Sequence, residues 1–244
     1  MNVPVLVLRA AGTNCDRETA HAFARAGGEP EALHVNALLA EPDRLLRYRI
    51  FALPGGFSYG DDVSAGRVLA AEIRARLLPA VERFVVRGGL VLGICNGFQV
   101  LVKAGLLPGP AAQGQTVTLA HNDSHRYEDR WVRIEAATDR CPVVRKGEPF
   151  FLPVAHAEGK FVASDPALDA LERQGQVLFR YRDNPNGSLR GIAGICDASG
   201  RVLGLMPHPE RHLEPWHHPF WTRIGLARES DGMRFFRSAV RAVA

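Results

Sequence analysis

The sequence predicts an α/β fold, with a mostly parallel central sheet flanked by helices and additional antiparallel strands. Three observations carry this expectation. Apolar runs of strand length at 3–8, 49–53 and 90–94 show no alternation, the pattern of strands covered on both faces. Helical text separates them, as a crossover between parallel strands requires. Beyond about residue 115 the text changes to short strand candidates in close succession, which fits hairpins that extend the sheet or form a small second one.

The elements follow in order. VPVLVL (3–8) is the first strand, and DRETAHAFARAG (16–27) a helix stopped by Gly27-Gly28. A short strand candidate covers 30–35, and RIFAL (49–53) a firmer one, ended by Pro54-Gly55-Gly56. Helical text runs from 65 to 87 with a break at Pro79. LVLGI (90–94) is a buried strand, and 96–104 begins the next helix. Strands are expected at 115–121, 130–136, 149–155, 177–182, 190–196 and 201–206, with a helix near 166–174. In the last helix, 231–243, Met233, Phe236, Val240 and Val243 recur on one face as a core stripe. With no linker, repeat or low-complexity tract, a single domain over 1–244 is expected.

Composition narrows the class. The chain has 244 residues, 46% hydrophobic and 23% charged, with a formal net charge of +4, which excludes disorder as its main state. No stretch of about 18 uncharged apolar residues exists, so no membrane span is expected. The first ten residues lack the charged start and long apolar run of a signal peptide, and a cytoplasmic location is expected. Of the 30 basic residues only Lys103, Lys146 and Lys160 are lysine, and they mix with acids instead of clustering, so nucleic acid is not an expected partner. Cys15, Cys95, Cys141 and Cys196 show neither C-x-x-C nor zinc-finger spacing, so no structural metal is expected. Cys196, in GIAGIC, reads as a buried hydrophobe, while Cys15 and Cys141 lie in polar turn-like text without an assigned role.

Three segments carry chemistry. Gly93-Ile94-Cys95-Asn96-Gly97 has the form of a nucleophile elbow between a strand and a helix. Such a turn lifts the sulfur above the sheet at a helix N-terminus, where dipole and free N–H groups favour thiolate. Pro54–Asp61 (PGGFSYGD) is a glycine loop after another strand. Acyl transfer needs two N–H donors for its oxyanion. Asn96 would supply one, and Gly55 or Gly56 the other. Met206-Pro207-His208-Pro209-Glu210 follows the strand 201–206, and prolines holding it extended would point His208 and Glu210 the same way as base and orienter. Spacing alone leaves a rival, because His156 and Glu158 repeat the H-x-E pattern as a competing base or a substrate loop. His212, His217 and His218 cluster with Trp216, Phe220 and Trp221, which reads as a surface or interface segment more than a metal site.

Together these segments resemble the class I (triad) glutamine amidotransferases, and within that family the glutaminases of purine biosynthesis. The resemblance rests on Gly12–Asp16 (GTNCD), PGGFSYGD (54–61), LGICNGFQ (92–99), GLLPG (105–109), PVAHAEGKF (153–161), NPNGS (184–188), GIAGI (191–195) and GLMPHPER (204–211), in family order along nearly the whole chain. It implies a flavodoxin-like fold and hydrolysis of glutamine to glutamate and ammonia. Cys95 would attack the side-chain amide, His208 would be base and acid, and Glu210 its orienter, which chooses His208 over His156. The resemblance further implies that Gln99 helps to hold glutamine, that Gly56 or its neighbour completes the oxyanion hole, and that His156 and Glu158 lie near the pocket or a partner surface. Ammonia would pass to a separate synthetase that uses ATP, with Mg, on formylglycinamide ribonucleotide, with room for a small accessory subunit. No cofactor is expected on this chain, which has no G-x-x-x-x-G-K-[ST] loop. The family pattern is departed from at Arg9-Ala10-Ala11, at 61–67 and over 212–229, and is least recognisable over 110–135. Two other readings compete: another class I glutaminase, or a non-amidotransferase elbow-cysteine protein of ThiJ/PfpI type.

Overall fold

Alternating strands and helices open the chain in the computed structural model, which describes residues 3–110 and 115–244. The start of the expected domain at 1–2 and its stretch at 111–114 lie outside the described residues. The first half holds β1 (Val3–Arg9), α1 (Asp16–Arg25), β2 (Gly28–His34), α2 (Val35–Ala40), β3 (Ile50–Leu53), α3 (Arg67–Glu72), α4 (Leu78–Val86), β4 (Leu90–Ile94) and α5 (Asn96–Lys103). The second half holds β5 (Val117–Ala120), β6 (Glu128–Ala136), β7 (Pro149–His156), β8 (Lys160–Ala163), α6 (Asp165–Arg173), β9 (Val177–Tyr181), β10 (Ile192–Cys196), β11 (Val202–Leu205), α7 (Trp221–Ile224) and α8 (Asp231–Arg241).

Among the described residues nine strands form one sheet in the order β2-β1-β3-β4-β11-β10-β9-β6-β7, and β5 and β8 form a two-stranded sheet. The block β2-β1-β3-β4-β11 is parallel throughout. From β11 to β7 every pairing is antiparallel. Both outcomes foreseen for the second half therefore occur, since hairpins extend the sheet and a small second sheet forms. The apolar runs explain the parallel block: every residue of β3, β4 and β11 is buried, as strands covered on both faces must be. The buried apolar side chains of both halves form one continuous cluster. The stripe of α8 enters it as expected, with Met233, Phe236, Val240 and Val243 all buried and Phe235 beside them. Burying each of these phenylalanines contributes about 1.5–3 kcal/mol relative to exposure.

Several expectations need correction. The helical stretch 65–87 is two helices joined by a π turn at Ile73–Leu77, and Pro79 sits in the first turn of α4, where its missing N–H costs nothing. Strand β10 begins at Ile192, after a 3₁₀ turn at Leu189–Gly191. The sequence reading missed α2, the 3₁₀ turn at Pro42–Arg47, α7 and β8, all too short to show a period. Residues 207–210 are not an extended arm, because Pro209–Arg211 is a 3₁₀ turn.

Two features of the fold position the site. The elbow is tight because α5 lies directly on β3. A Cβ on Gly97 would stand 1.9 Å from the Leu53 carbonyl oxygen, and one on Gly93 would stand 2.7 Å from the Gly97 carbonyl oxygen. The antiparallel arm also curls back over the carboxyl ends of the parallel strands. The His208 N–H donates to Pro153 O at 2.8 Å, and Asp231 at the start of α8 accepts from Phe151 N at 2.6 Å, so β7 is tied to both segments.

Gly97→Ala should therefore destabilise the chain by about 1–3 kcal/mol through overpacking, read as a lower denaturant midpoint. An unchanged midpoint would contradict the close approach of α5 to β3.

Candidate active site

The site is assembled where four segments meet, those that leave the carboxyl ends of β1, β3, β4 and β11. Strand β4 and the helix behind it fix Cys95, which adopts φ 50° and ψ −105°. This is left-handed backbone that a side-chain-bearing residue rarely adopts, the kind of strain stored at functional turns. The turn is held by the Cys95 N–H bonding Leu205 O at 2.8 Å and by Gln99 N–H bonding Cys95 O at 3.1 Å. The first bond ties the elbow to the end of β11, so the chain leaving β11 reaches His208 beside it. Cys95 is buried, and its Sγ lies 3.8 Å from Ala155 O on β7.

His208 and Glu210 meet as their spacing suggested, although by another geometry. With the 3₁₀ turn between them, His208 Nδ1 stands 2.6 Å from Glu210 Oε1, and both side chains are buried. Burial alone would push the His208 pKa down. The carboxylate of Glu210 and the nearby thiols of Cys95 and Cys15 outweigh it and raise the imidazole well above its usual value. The carboxylate fixes the proton on Nδ1 and leaves Nε2, which makes no hydrogen bond, turned to other work.

The glycine loop is pinned to the loop after β1. Cys15 N–H donates to Gly55 O at 3.2 Å and Phe57 N–H to Gly12 O at 2.9 Å. Gly56 has φ 140°, and a Cβ there would meet Asn14 N at 2.7 Å. A Cβ on Gly55 would stand 2.8 Å from His208 Cε1, so the loop lies against the imidazole. Among the described residues neither the Gly55 nor the Gly56 N–H donates a hydrogen bond. Asn96 opens α5, where the first N–H groups have no partner within the helix.

The other expected residues divide. The Asn96 side chain accepts from Ser58 N–H at 3.2 Å, and its amide donates to Asp61 Oδ1 at 3.1 Å and Gln99 Oε1 at 3.0 Å. Gln99 in turn donates to Glu158 O at 2.5 Å. Its amide is thus engaged at both ends within the protein, and it fixes the 156–159 loop. His156 is buried and cannot form part of a partner surface. Its Nδ1 meets Asn122 Oδ1 at 3.1 Å, and burial together with the neighbouring His208 pushes its pKa down to about 4. At neutral pH it is an uncharged buried group beside His208, with no hydrogen bond at Nε2.

The sequence reading missed Cys15, Asn122, Tyr181 and Arg211. Cys15 is 1% exposed beside His208, and its Sγ donates to Asn14 Oδ1 and accepts from Arg211 Nη2, both at 3.2 Å. The buried Tyr181 hydroxyl has no hydrogen-bond partner, and burial, with a smaller contribution from the nearby Cys95, raises its pKa. Only the places of Cys15 in the GTNCD segment and of Arg211 at the end of GLMPHPER gave a signal. The other thiols are inert fillers: burial raises Cys141 to about 12 and raises Cys196 further. The expected surface segment holds only in part: Trp216, Phe220 and Trp221 are exposed, but His212 and Leu213 are buried, with His212 Nδ1 bonded to Phe151 O.

The chain matches the CobB/CobQ-like glutamine amidotransferase domain over residues 2–243. It is 48% identical to phosphoribosylformylglycinamidine synthase subunit PurQ of Dehalococcoides mccartyi over 98% of this chain and 97% of that protein. It is 41% identical to the PurQ subunit of Methanococcus maripaludis strain S2, over 86% of this chain and 82% of that protein. Its fold superposes on a chain of the PurLQS structure from Thermotoga maritima with a TM-score of 0.79, at 33% identity and full coverage of both chains. A glutamine amidotransferase from Thermotoga maritima, 16% identical with a TM-score of 0.56 over 99% of this chain and 98% of that one, shares the fold.

The raised His208 pKa has a sign that can be tested. Stability from the charged pair is complete below the usual histidine value of about 6.5 and is lost as pH rises through the raised folded value. Urea midpoints of the wild type and Glu210→Gln should therefore differ most at low pH and converge or cross as pH rises. A difference independent of pH would contradict the pairing.

Proposed function

The chain belongs to the CobB/CobQ-like glutamine amidotransferase family, and from that premise we propose that it is the glutaminase subunit of a phosphoribosylformylglycinamidine synthase. It hydrolyses glutamine to glutamate and ammonia and hands the ammonia to a synthetase subunit. The observation that carries the reading is the buried contact of His208 with Glu210 beside a cysteine on a strained elbow.

Each residue has a step. The imidazolium state of His208 holds on Nε2 the proton given up by the Cys95 thiol, and the sulfur attacks the side-chain amide carbon of glutamine. The oxyanion that forms is held by backbone N–H groups of Asn96 and of Gly55 or Gly56, which make no other bond. His208 returns the proton to the leaving nitrogen, ammonia departs, and a glutamyl thioester remains on Cys95. Water then attacks the thioester with His208 as base, which gives glutamate and restores the thiol. Glu210 holds the imidazole and stabilises its charged form throughout. Asn96, Gln99 and the 156–159 loop fix the pocket wall, and neutral His156 keeps a second cation out of it.

The ammonia serves conversion of formylglycinamide ribonucleotide to formylglycinamidine ribonucleotide, with ATP and Mg bound by the partner synthetase. A small accessory subunit fits the same assembly. A cytoplasmic site of action suits a chain in which no described helix is long and apolar enough to cross a membrane.

In the assembled enzyme Cys95→Ala should abolish glutamine-dependent product formation and leave ammonia-dependent synthesis intact; loss of both activities would overturn the assignment. The isolated chain should hydrolyse glutamine slowly and accelerate when the partner docks, since gating prevents wasted ammonia. Equal rates with and without partner would contradict that gating.

A further inference from the structure

Cys15 has no step in the chemistry above, yet it stands inside the site. It comes from the loop after β1, nearly two hundred residues from His208 in sequence. One donor atom each from Cys15, His208 and Glu210 lie within 4.8 Å of one another, and all three residues are buried. A thiol, an imidazole and a carboxylate form a donor set suited to zinc. The second Glu210 oxygen, Oε2, is fully buried and makes no hydrogen bond, an uncommon state that a cation would relieve.

We propose that Cys15, His208 and Glu210 form an inhibitory site for a zinc-class divalent ion. The ion takes the place of the proton that His208 Nδ1 donates to Glu210. Zinc bonds of about 2.0–2.3 Å separate tetrahedral ligand atoms by about 3.3–3.7 Å, so the imidazole and carboxylate open slightly while the thiol closes in. The thiol gives up its proton on binding. Arg211 Nη2, 3.2 Å from Cys15 Sγ, supports the resulting thiolate. A fourth position remains for water.

The site itself is independent of the proposed reaction, while its inhibitory effect rests on that reading. With the ion on Nδ1, the neutral-imidazole and imidazolium states that His208 alternates between are no longer available, and Glu210 no longer orients a free ring.

The test uses cobalt(II) as a spectroscopic probe on the full chain, reduced and free of metal. One equivalent should produce a thiolate-to-cobalt charge-transfer band, which zinc then displaces. The band should persist in Cys95→Ser and Cys141→Ser and vanish in Cys15→Ser. In Glu210→Gln the cobalt affinity should fall at least about tenfold, and that variant keeps the test decisive should Cys15→Ser fail to fold. In the assembled enzyme zinc should inhibit glutamine-dependent activity and spare ammonia-dependent activity, with Cys15→Ser needing at least about tenfold more zinc. Absence of the band in the wild type, its loss in Cys95→Ser, or its survival in Cys15→Ser would each overturn the site. A band with no inhibition would leave the site standing and instead contradict His208 as the base.

Discussion

The turn at Cys95 is the constraint on which the rest of the molecule depends. A cysteine held at φ 50° survives only where its surroundings leave no alternative. Those surroundings are the core of the fold: β4 between β3 and β11, and α5 pressed so close to β3 that only glycine fits at 97. The same turn sets the first N–H groups of α5, which have no partner within the helix, directly after the cysteine. Stability and chemistry are therefore coupled, because the parallel block that buries the apolar runs also creates the elbow.

The second half of the chain completes what the elbow begins. Strand β11 runs beside β4 and delivers His208, and the hydrogen bond from Cys95 N–H to Leu205 O fixes one segment to the other. The antiparallel arm curls back, so that Pro153, Ala155 and His156 on β7 close the site from the opposite side. Asn122, fully buried, holds the 156–159 loop through bonds to His156 and Gly159. Burial would strip the charge from an isolated histidine here, as it does at His156, and only Glu210 and the thiols reverse that effect at His208. Two neighbouring buried histidines thus take opposite states because of their surroundings.

What the sequence made legible was local. A strand, a Gly-x-Cys-x-Gly turn and a helix are contiguous, so the elbow could be read at 90–104 without tertiary knowledge. His208 and Glu210 were legible as a pair by spacing, but their geometry was not, since prolines favour both extended arms and the first turns of helices, and the 3₁₀ turn won. Choosing His208 over His156 needed the family resemblance, because both lie in H-x-E text after a strand. Cys15 was invisible as a neighbour of His208, since that contact joins the first loop to the last. The direct role expected for Gln99 was equally hard to judge, because its engagement by Asn96 and Glu158 depends on a loop more than fifty residues away.

The central claim is that Cys95 alone carries the glutamyl group. Acid-quenching the assembled enzyme during turnover of isotopically labelled glutamine, followed by peptide mapping by mass spectrometry, tests it most directly. The account predicts a labelled glutamyl adduct on the peptide that contains Cys95 and none on the peptide that contains Cys15. An adduct on Cys15, or steady turnover with Cys95 alkylated, would contradict it.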